Sequence, residues 1–257
     1  LATAWLRAGT PGNLIQPIRF NAQAYPAWGA LAQAIRRDAP PQGHQHILGA
    51  DAEATRTFVM AMHQRAFGAA RALAQVLNLN DCRTLLDLGG GPGTYSRLLA
   101  EKHPQLSCTV LDLPPILAIA RTLHGESPAA GRLNWLPGDL FADPPLPLLG
   151  PEFDAVLLSG VAHRTAGDAT VALLRRAAGC LKPGGLLALC DLFVGGPSHG
   201  PVLPELFSLH MLVTANAGAS LRRDEIAEQL TAAGLHLEQE IPLPPPLPHL
   251  LVLARKI

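Results

Sequence analysis

The chain has 257 residues, 48% of them apolar, which suits one large α/β domain or one such domain with a helical appendage. Lysine plus arginine (20) balances aspartate plus glutamate (20), so there is no electrostatic footprint for nucleic acid or an anionic membrane surface. No apolar run approaches the roughly 18 residues of a membrane span, and no basic start followed by an apolar stretch marks a signal peptide.

Residues 1–80 read as helices and loops. Pro11-Gly12 and Ala39-Pro40-Pro41-Gln42-Gly43 punctuate them. Tyr25, Trp28, Leu31 and Ile35 recur at spacings of three and four, which predicts one apolar helix face. A longer helix is predicted over Ala54 to Leu77, with Phe58, Met62, Ala69, Leu73 and Val76 on one side. That side either packs into the core or, through Met60, Met62 and His63, lines a substrate cavity.

From Cys82 the pattern changes to strands alternating with helices, the mark of a doubly wound parallel sheet. Strands are predicted near 84–88, 108–112, 132–136, 153–159 and 185–190, and helices near 94–102, 114–124 and 168–181. Lys182-Pro183-Gly184-Gly185 is expected to turn into the fifth strand. Residues 203–216 and 221–233 read as helical. His236 to Ile241 and Leu250 to Ala254 flank a proline-rich turn and so form antiparallel neighbours, because a parallel pair needs a long crossover. The expectation is therefore a Rossmann-like α/β sheet of seven strands with an antiparallel last strand, preceded by a helical segment. The boundaries are 1–80 and 81–257.

The organising stretch is Leu85-Leu86-Asp87-Leu88-Gly89-Gly90-Gly91-Pro92-Gly93-Thr94. It reads as an apolar strand, an acidic residue, a glycine loop and a helix start. Glycine permits sharp turns and close ligand approach, and the helix start offers unpaired N–H groups. Asp87 can accept hydrogen bonds from an amine or a hydroxyl. A nicotinamide site would want G-x-G-x-x-G, but the third position here is Thr94.

Asp112 ends the second strand, 23 residues after Gly89, where a carboxylate can bind both ribose hydroxyls of a nucleoside or cap the next helix. Asp139 follows the third strand. It is either an acceptor for an adenine amino group, with Leu140 or Phe141 flanking the ring, or a plain turn residue. A buried strand ends at Ser159 and His163 follows, beyond the carboxyl ends of the strands, where ligands bind in open α/β sheets. A histidine there is either a general base or structural. The four cysteines, Cys82, Cys108, Cys180 and Cys190, form no C-x-x-C pair and read as free thiols of a reducing cytoplasm.

Residues 85–94, 110–115, 137–144, 153–163 and 180–192 together resemble the class I S-adenosylmethionine-dependent methyltransferases. More narrowly, they resemble the small-molecule O-methyltransferases of the caffeate and hydroxyindole type and their bacterial natural-product relatives. The phrases Leu-Leu-Asp-Leu-Gly-Gly-Gly-Pro-Gly, Val-Leu-Asp-Leu-Pro-Pro and Gly-Asp-Leu-Phe-Ala-Asp-Pro carry the likeness, from about residue 50 to the C-terminus.

The resemblance implies S-adenosylmethionine as cofactor and no metal. Asp87, Gly89, Gly90, Gly91, Gly93, Asp112, Leu113, Asp139, Leu140, Phe141 and Ser159 would hold the cofactor, and His163 would be the base. The acceptor would be the hydroxyl of an aromatic or polyketide-like molecule, with Phe58, Met62, His63, Phe207, His210 and Met211 as substrate-lining candidates and His210 as a second candidate base. It also implies a cytoplasmic homodimer, with 1–80 as the remnant of a dimerisation domain in a truncated or naturally short member. Two departures stand out. The family's His-Asp-Trp is His163-Arg164-Thr165 here, and its Arg-Thr pair is Ala219-Ser220. They keep open a fold-mate that binds the cofactor but has a regulatory, hydroxylase-like or decarboxylase-like role.

Overall fold

A computed structural model of the chain describes every residue except 1, 11–12, 42–50, 143–151, 196–201 and 216–217. Pro11-Gly12, Gln42-Gly43, Asp143-Pro144 and the end of the predicted 203–216 helix thus lie outside the described residues.

The helices of the front half are α1 (Ala2–Trp5), α2 (Ile15–Gln23), α3 (Tyr25–Gly29), α4 (Leu31–Arg37) and the long α5 (Ala52–Val76). The core then runs β1 (Thr84–Leu88), α6 (Thr94–Lys102), β2 (Ser107–Asp112), α7 (Pro114–His124), β3 (Leu133–Pro137), β4 (Phe153–Ser159), α8 (Asp168–Cys180) and β5 (Leu181–Val194). It closes with α9 (Leu203–Thr214), β6 (Leu221–Arg222), α10 (Ile226–Ala232), β7 (Leu235–Pro242) and β8 (His249–Lys256). The strand order is β3-β2-β1-β4-β5-β8-β7, with β6 added beside β5. The expected seven strands are present; the eighth, β6, interrupts what read as one helix over 221–233, because Leu221 and Arg222 pair with Phe193 and Val194. The final pair is antiparallel, as its short connection requires.

The chain divides into two compact units. In the first, β2 and β3 pair in parallel, with Asp112 opposite Pro137 at their carboxyl ends. The long helix α5 starts on Asp51, whose carboxylate accepts the amides of Glu53 and Ala54. It buries Val59, Ala61, Ala69, Ala70, Leu73 and Ala74, so its interior face is built mainly from alanines.

In the second unit, β1, β4, β5, β8 and β7 lie side by side. The middle strands are runs of fully buried side chains, Ala155–Leu158 on β4 and Leu186–Cys190 on β5, as expected where a sheet is covered on both faces. The strand order reverses between β1 and β4, so the crevice lies beyond Leu88 and Ser159.

Two expectations need correction. Lys182–Gly185 is not a turn ahead of the fifth strand. Leu181 already pairs with Phe153, and the register then jumps to Leu186 against Ala155, so the intervening residues bulge from a strand that has begun. The stripe Tyr25, Trp28, Leu31, Ile35 is not one helix face either. The helix breaks between Gly29 and Leu31, leaving Tyr25 and Ile35 exposed. In the second unit Ala27 and Ala34 bury instead, against Val213 of α9, with Trp28 and Leu31 packed around them.

Candidate active site

In the first unit the chain enters the glycine loop on a hydrogen bond from Gly89 N–H to the Leu111 carbonyl, 2.9 Å. Gly89, Gly91 and Gly93 have φ of 67°, 56° and 70°, a region that only glycine enters without strain. The loop folds over Gly90, whose carbonyl accepts the Gly93 amide, and its last residue caps α6. Asp112 ties the loop to β2: Oδ2 accepts the Gly91 N–H at 2.8 Å and Oδ1 the Leu113 N–H at 2.7 Å. It does not cap α7, whose N-cap is Leu113. An ionised carboxylate accepts hydrogen bonds, the chemistry that ribose hydroxyls require. Backbone bared at three glycines, a carboxylate at the end of β2 and the N-terminus of α6 fit an adenosine-type cofactor. Asp139 is exposed and accepts the Phe141 amide at 2.8 Å, the turn arrangement. Leu140 beside it is buried and Phe141 is exposed.

In the second unit Asp87 is buried in β1 opposite Leu157. Ser159 ends β4 opposite Cys190 of β5. After Gly160 (φ 65°) a short 3₁₀ turn, Ala162–Arg164, carries His163. Its Nδ1 lies 2.9 Å from Oδ1 of Asp191, which is 2% exposed, and its backbone amide reaches the other carboxylate oxygen at 3.3 Å.

Burial alone would raise the Asp191 carboxyl. The His163 charge and the hydrogen bonds from His163 and the Leu192 amide outweigh it and hold Asp191 below the ordinary carboxylate range. An ionised carboxylate only accepts, so His163 donates from Nδ1, and in the neutral ring the lone pair is on Nε2. Phe207 of α9 meets the His163 ring edge-on at 4.8 Å. Gly218 (φ 112°) backs the turn: a Cβ there would lie 2.2 Å from the His163 carbonyl oxygen.

Residues 28–236 match the model of the O-methyltransferase domain. The chain belongs to this family. The curated relatives include 3-hydroxy-5-methyl-1-naphthoate 3-O-methyltransferase of Streptomyces sahachiroi, 31% identical across 83% of this chain and 62% of that protein. They also include acetylserotonin O-methyltransferase of Mus musculus molossinus, 32% identical across 84% and 58%. This family member thus spans about three fifths of the length of the curated relatives it matches. Among solved structures, human N-acetylserotonin methyltransferase in complex with S-adenosylmethionine superposes with a TM-score of 0.84 at 24% identity, covering all of this chain and 74% of that one.

The family departures have local structural explanations. Thr165 is buried and its hydroxyl bonds the Ala162 carbonyl (2.8 Å) and Thr170 (3.0 Å), while the Arg164 side chain is exposed. Ser220 fastens the segment before β6 to α9, with its hydroxyl on the Pro204 carbonyl and its amide on the Ser208 hydroxyl.

Of the substrate-lining candidates in the second unit, Phe207 is brought to His163. His210 accepts the Trp28 indole N–H at Nδ1 (3.2 Å), and Met211 turns inward and is buried. In the first unit Phe58 packs edge-on against Phe20 and Met62 is half-buried. Met60, His63, Gln64 and Phe67 line a cavity of about 290 Å³, to which Met62 does not contribute.

Asp191 and Gly218 were missed. Asp191 carried a signal, since it is the one acidic residue within the apolar run Leu186–Val194, and a charge buried in a central strand needs a partner. Gly218 carried none.

Proposed function

We propose that the chain is the catalytic part of an S-adenosylmethionine-dependent O-methyltransferase that methylates the hydroxyl of an aromatic or polyketide-like small molecule. The His163–Asp191 pair in a family fold carries this reading. When bound, the cofactor supplies a methyl group on a sulfonium, an electrophile that needs no covalent help from the protein. The chain's tasks are orientation and proton removal.

His163 takes the hydroxyl proton at Nε2 while Nδ1–H stays on Asp191, whose negative charge stabilises the imidazolium that forms. A phenol, with pKa near 10, is within reach of such a base, whereas an aliphatic alcohol is far harder to deprotonate. The edge contact of Phe207 with His163 supports an aromatic acceptor on that side.

On the cofactor side, the reading gives the methyl donor's backbone cradle to Gly89, Gly90, Gly91 and Gly93. Its ribose goes to Asp112 with Leu113, its adenine to Asp139, Leu140 and Phe141, and its amino-acid end to Asp87 and Ser159. No metal takes part in this scheme. Phe58, Met62, His210 and Met211 remain candidates for shaping the acceptor site.

The division at residue 80 and a cytoplasmic homodimer belong to the same reading. The exposed apolar side chains of Trp5, Ile18 and Tyr25 support self-association, and four cysteines that form no disulfide among the described residues fit a reducing compartment. Light scattering tests the first of these.

The decisive experiment is transfer of a labelled methyl group from S-adenosylmethionine to a panel of phenols, by wild type and by His163→Ala. Label in product that falls by about 10²–10⁴ in the variant, with cofactor affinity nearly intact, supports the assignment. Cofactor binding with no transfer to any phenol would turn the reading to a regulatory fold-mate.

A further inference from the structure

The glycine loop is held from behind as well as from β2. His124, the last residue of α7, has Nε2 2.7 Å from the carbonyl oxygen of Pro92. A carbonyl only accepts, so His124 donates. The His124 ring lies parallel to Trp135 of β3, with centroids 6.3 Å apart and planes 6° from parallel. The far edge of Trp135 backs the next loop residue: a Cβ at Gly93 would lie 2.9 Å from its Cη2. On the other side His63 of α5 meets His124 edge to face at 5.6 Å, and its Nδ1 lies 2.8 Å from Oγ1 of Thr94. Three consecutive residues, Pro92, Gly93 and Thr94, are therefore each touched by one of three rings. Those rings come from three different elements and pack on one another.

This arrangement answers a physical need. A loop of glycines has no side chains to hold itself in one shape, and its freedom must be surrendered when a ligand binds. Rings fixed beneath it settle that cost during folding. The support is also constant in charge. Burial, with Arg97 adding to it, brings His63 down to about 4. Burial likewise brings His124 to about 4, the Pro92 hydrogen bond opposing it in part.

We propose that His124, Trp135 and His63 are positioning residues that clamp Pro92–Thr94 in the shape that receives the cofactor. On this account His63 is a part of the loop's support rather than a contact for the methyl acceptor. The proposal rests on the reading of Gly89–Gly93 as the cofactor loop.

Two measurements on the full chain test it: amide hydrogen exchange at Gly91 and Gly93, and calorimetric titration with S-adenosylhomocysteine. His124→Phe keeps a stacking ring and loses the donor, whereas His124→Gln loses the ring and keeps a donor. His124→Phe is expected to speed exchange and weaken binding roughly tenfold, the worth of one buried hydrogen bond, and His124→Gln to restore most of both.

Exchange unchanged in His124→Phe overturns the proposal. So does faster exchange with unchanged affinity, or a glutamine variant no better than phenylalanine. If wild type itself binds no S-adenosylhomocysteine, the cofactor reading fails instead, and the exchange data still decide the clamp. Should His124→Phe not fold, Trp135→Leu removes the support beneath Gly93, keeps the His124 bond and is read by the same two measurements.

Discussion

Nδ1 of His163 lies 2.9 Å from Oδ1 of Asp191, and the two residues come from different elements: a turn after β4 and the carboxyl-terminal part of β5. The carboxylate fixes which ring nitrogen carries the proton. Asp191→Asn preserves shape and replaces the acceptor with a group that can also donate, so the useful tautomer loses its anchor. Turnover should fall by about 10²–10⁴ at unchanged affinity for S-adenosylhomocysteine. Single-turnover methyl transfer measures it, and a variant within tenfold of wild type would remove the carboxylate from the base's function.

His210 should not substitute for His163. The Trp28 indole N–H can only donate, so His210 receives it at Nδ1 and, when neutral, carries its proton on Nε2. That tautomer has no lone pair left to take a phenol's proton. His210→Ala is expected to lower kcat by less than about tenfold, against the about 10²–10⁴ of His163→Ala. Equal losses in the two variants would make His210 part of the proton transfer.

Stability should fall on mild acidification. His63 and His124 have pKa values of about 4 in the folded chain, below the ordinary value of 6.5. The unfolded chain therefore binds protons that the folded chain refuses, and stability present above pH 6.5 is lost as pH falls toward 4. The groups facing this pair are Arg97, which lowers both, and Glu101, which raises His124. Each histidine should account for on the order of 2 kcal/mol across that window. Urea unfolding at pH 7.5, 6 and 5 reads the slope, which His124→Phe should make shallower. A slope unchanged in that variant would contradict the burial of a neutral His124.

Two alanine substitutions in the glycine loop should differ. At Gly91 a Cβ meets nothing within 4 Å, so Gly91→Ala carries only the cost of positive φ, about 1–2 kcal/mol. At Gly93 the same strain is joined by a clash with Trp135, and overpacking adds about 1–3 kcal/mol. Denaturation midpoints of the two variants compare them directly, and equal losses would mean that Trp135 yields to the extra methyl.

What could be read in advance follows from how local the cause is. The strand–helix alternation after residue 84, and the loop from Gly89 to Gly93, follow from apolar runs and glycine placement within a few residues of each element. The register bulge at Lys182–Gly185 depends on where Phe153 pairs across the sheet. The pairing that makes β6 depends on Phe193, 28 residues earlier than Leu221. Tyr25 and Ile35 had the right spacing for a helix face, but periodicity does not reveal a break in the helix between them. Asp112 and His163 were each marked by a position at or just past the end of a strand. Asp191 sat inside a strand, where spacing patterns do not look for charge. The contacts of His63, His124 and Trp135 join segments far apart in sequence, and neither His124 nor Trp135 stands in a recognisable pattern.

The placement of Asp191 on β5 has an evolutionary consequence. Asp191 pairs with Leu250 of β8 and follows Cys190, which is paired on both flanks with β4 and β8, so the partner of His163 cannot shift without disturbing the sheet. Phe207, by contrast, lies on α9, a helix with a half-exposed face. On the reading proposed above, selection can therefore remodel α9 through many substitutions while the His163–Asp191 pair stays still, so new substrates can be acquired without rebuilding the chemistry.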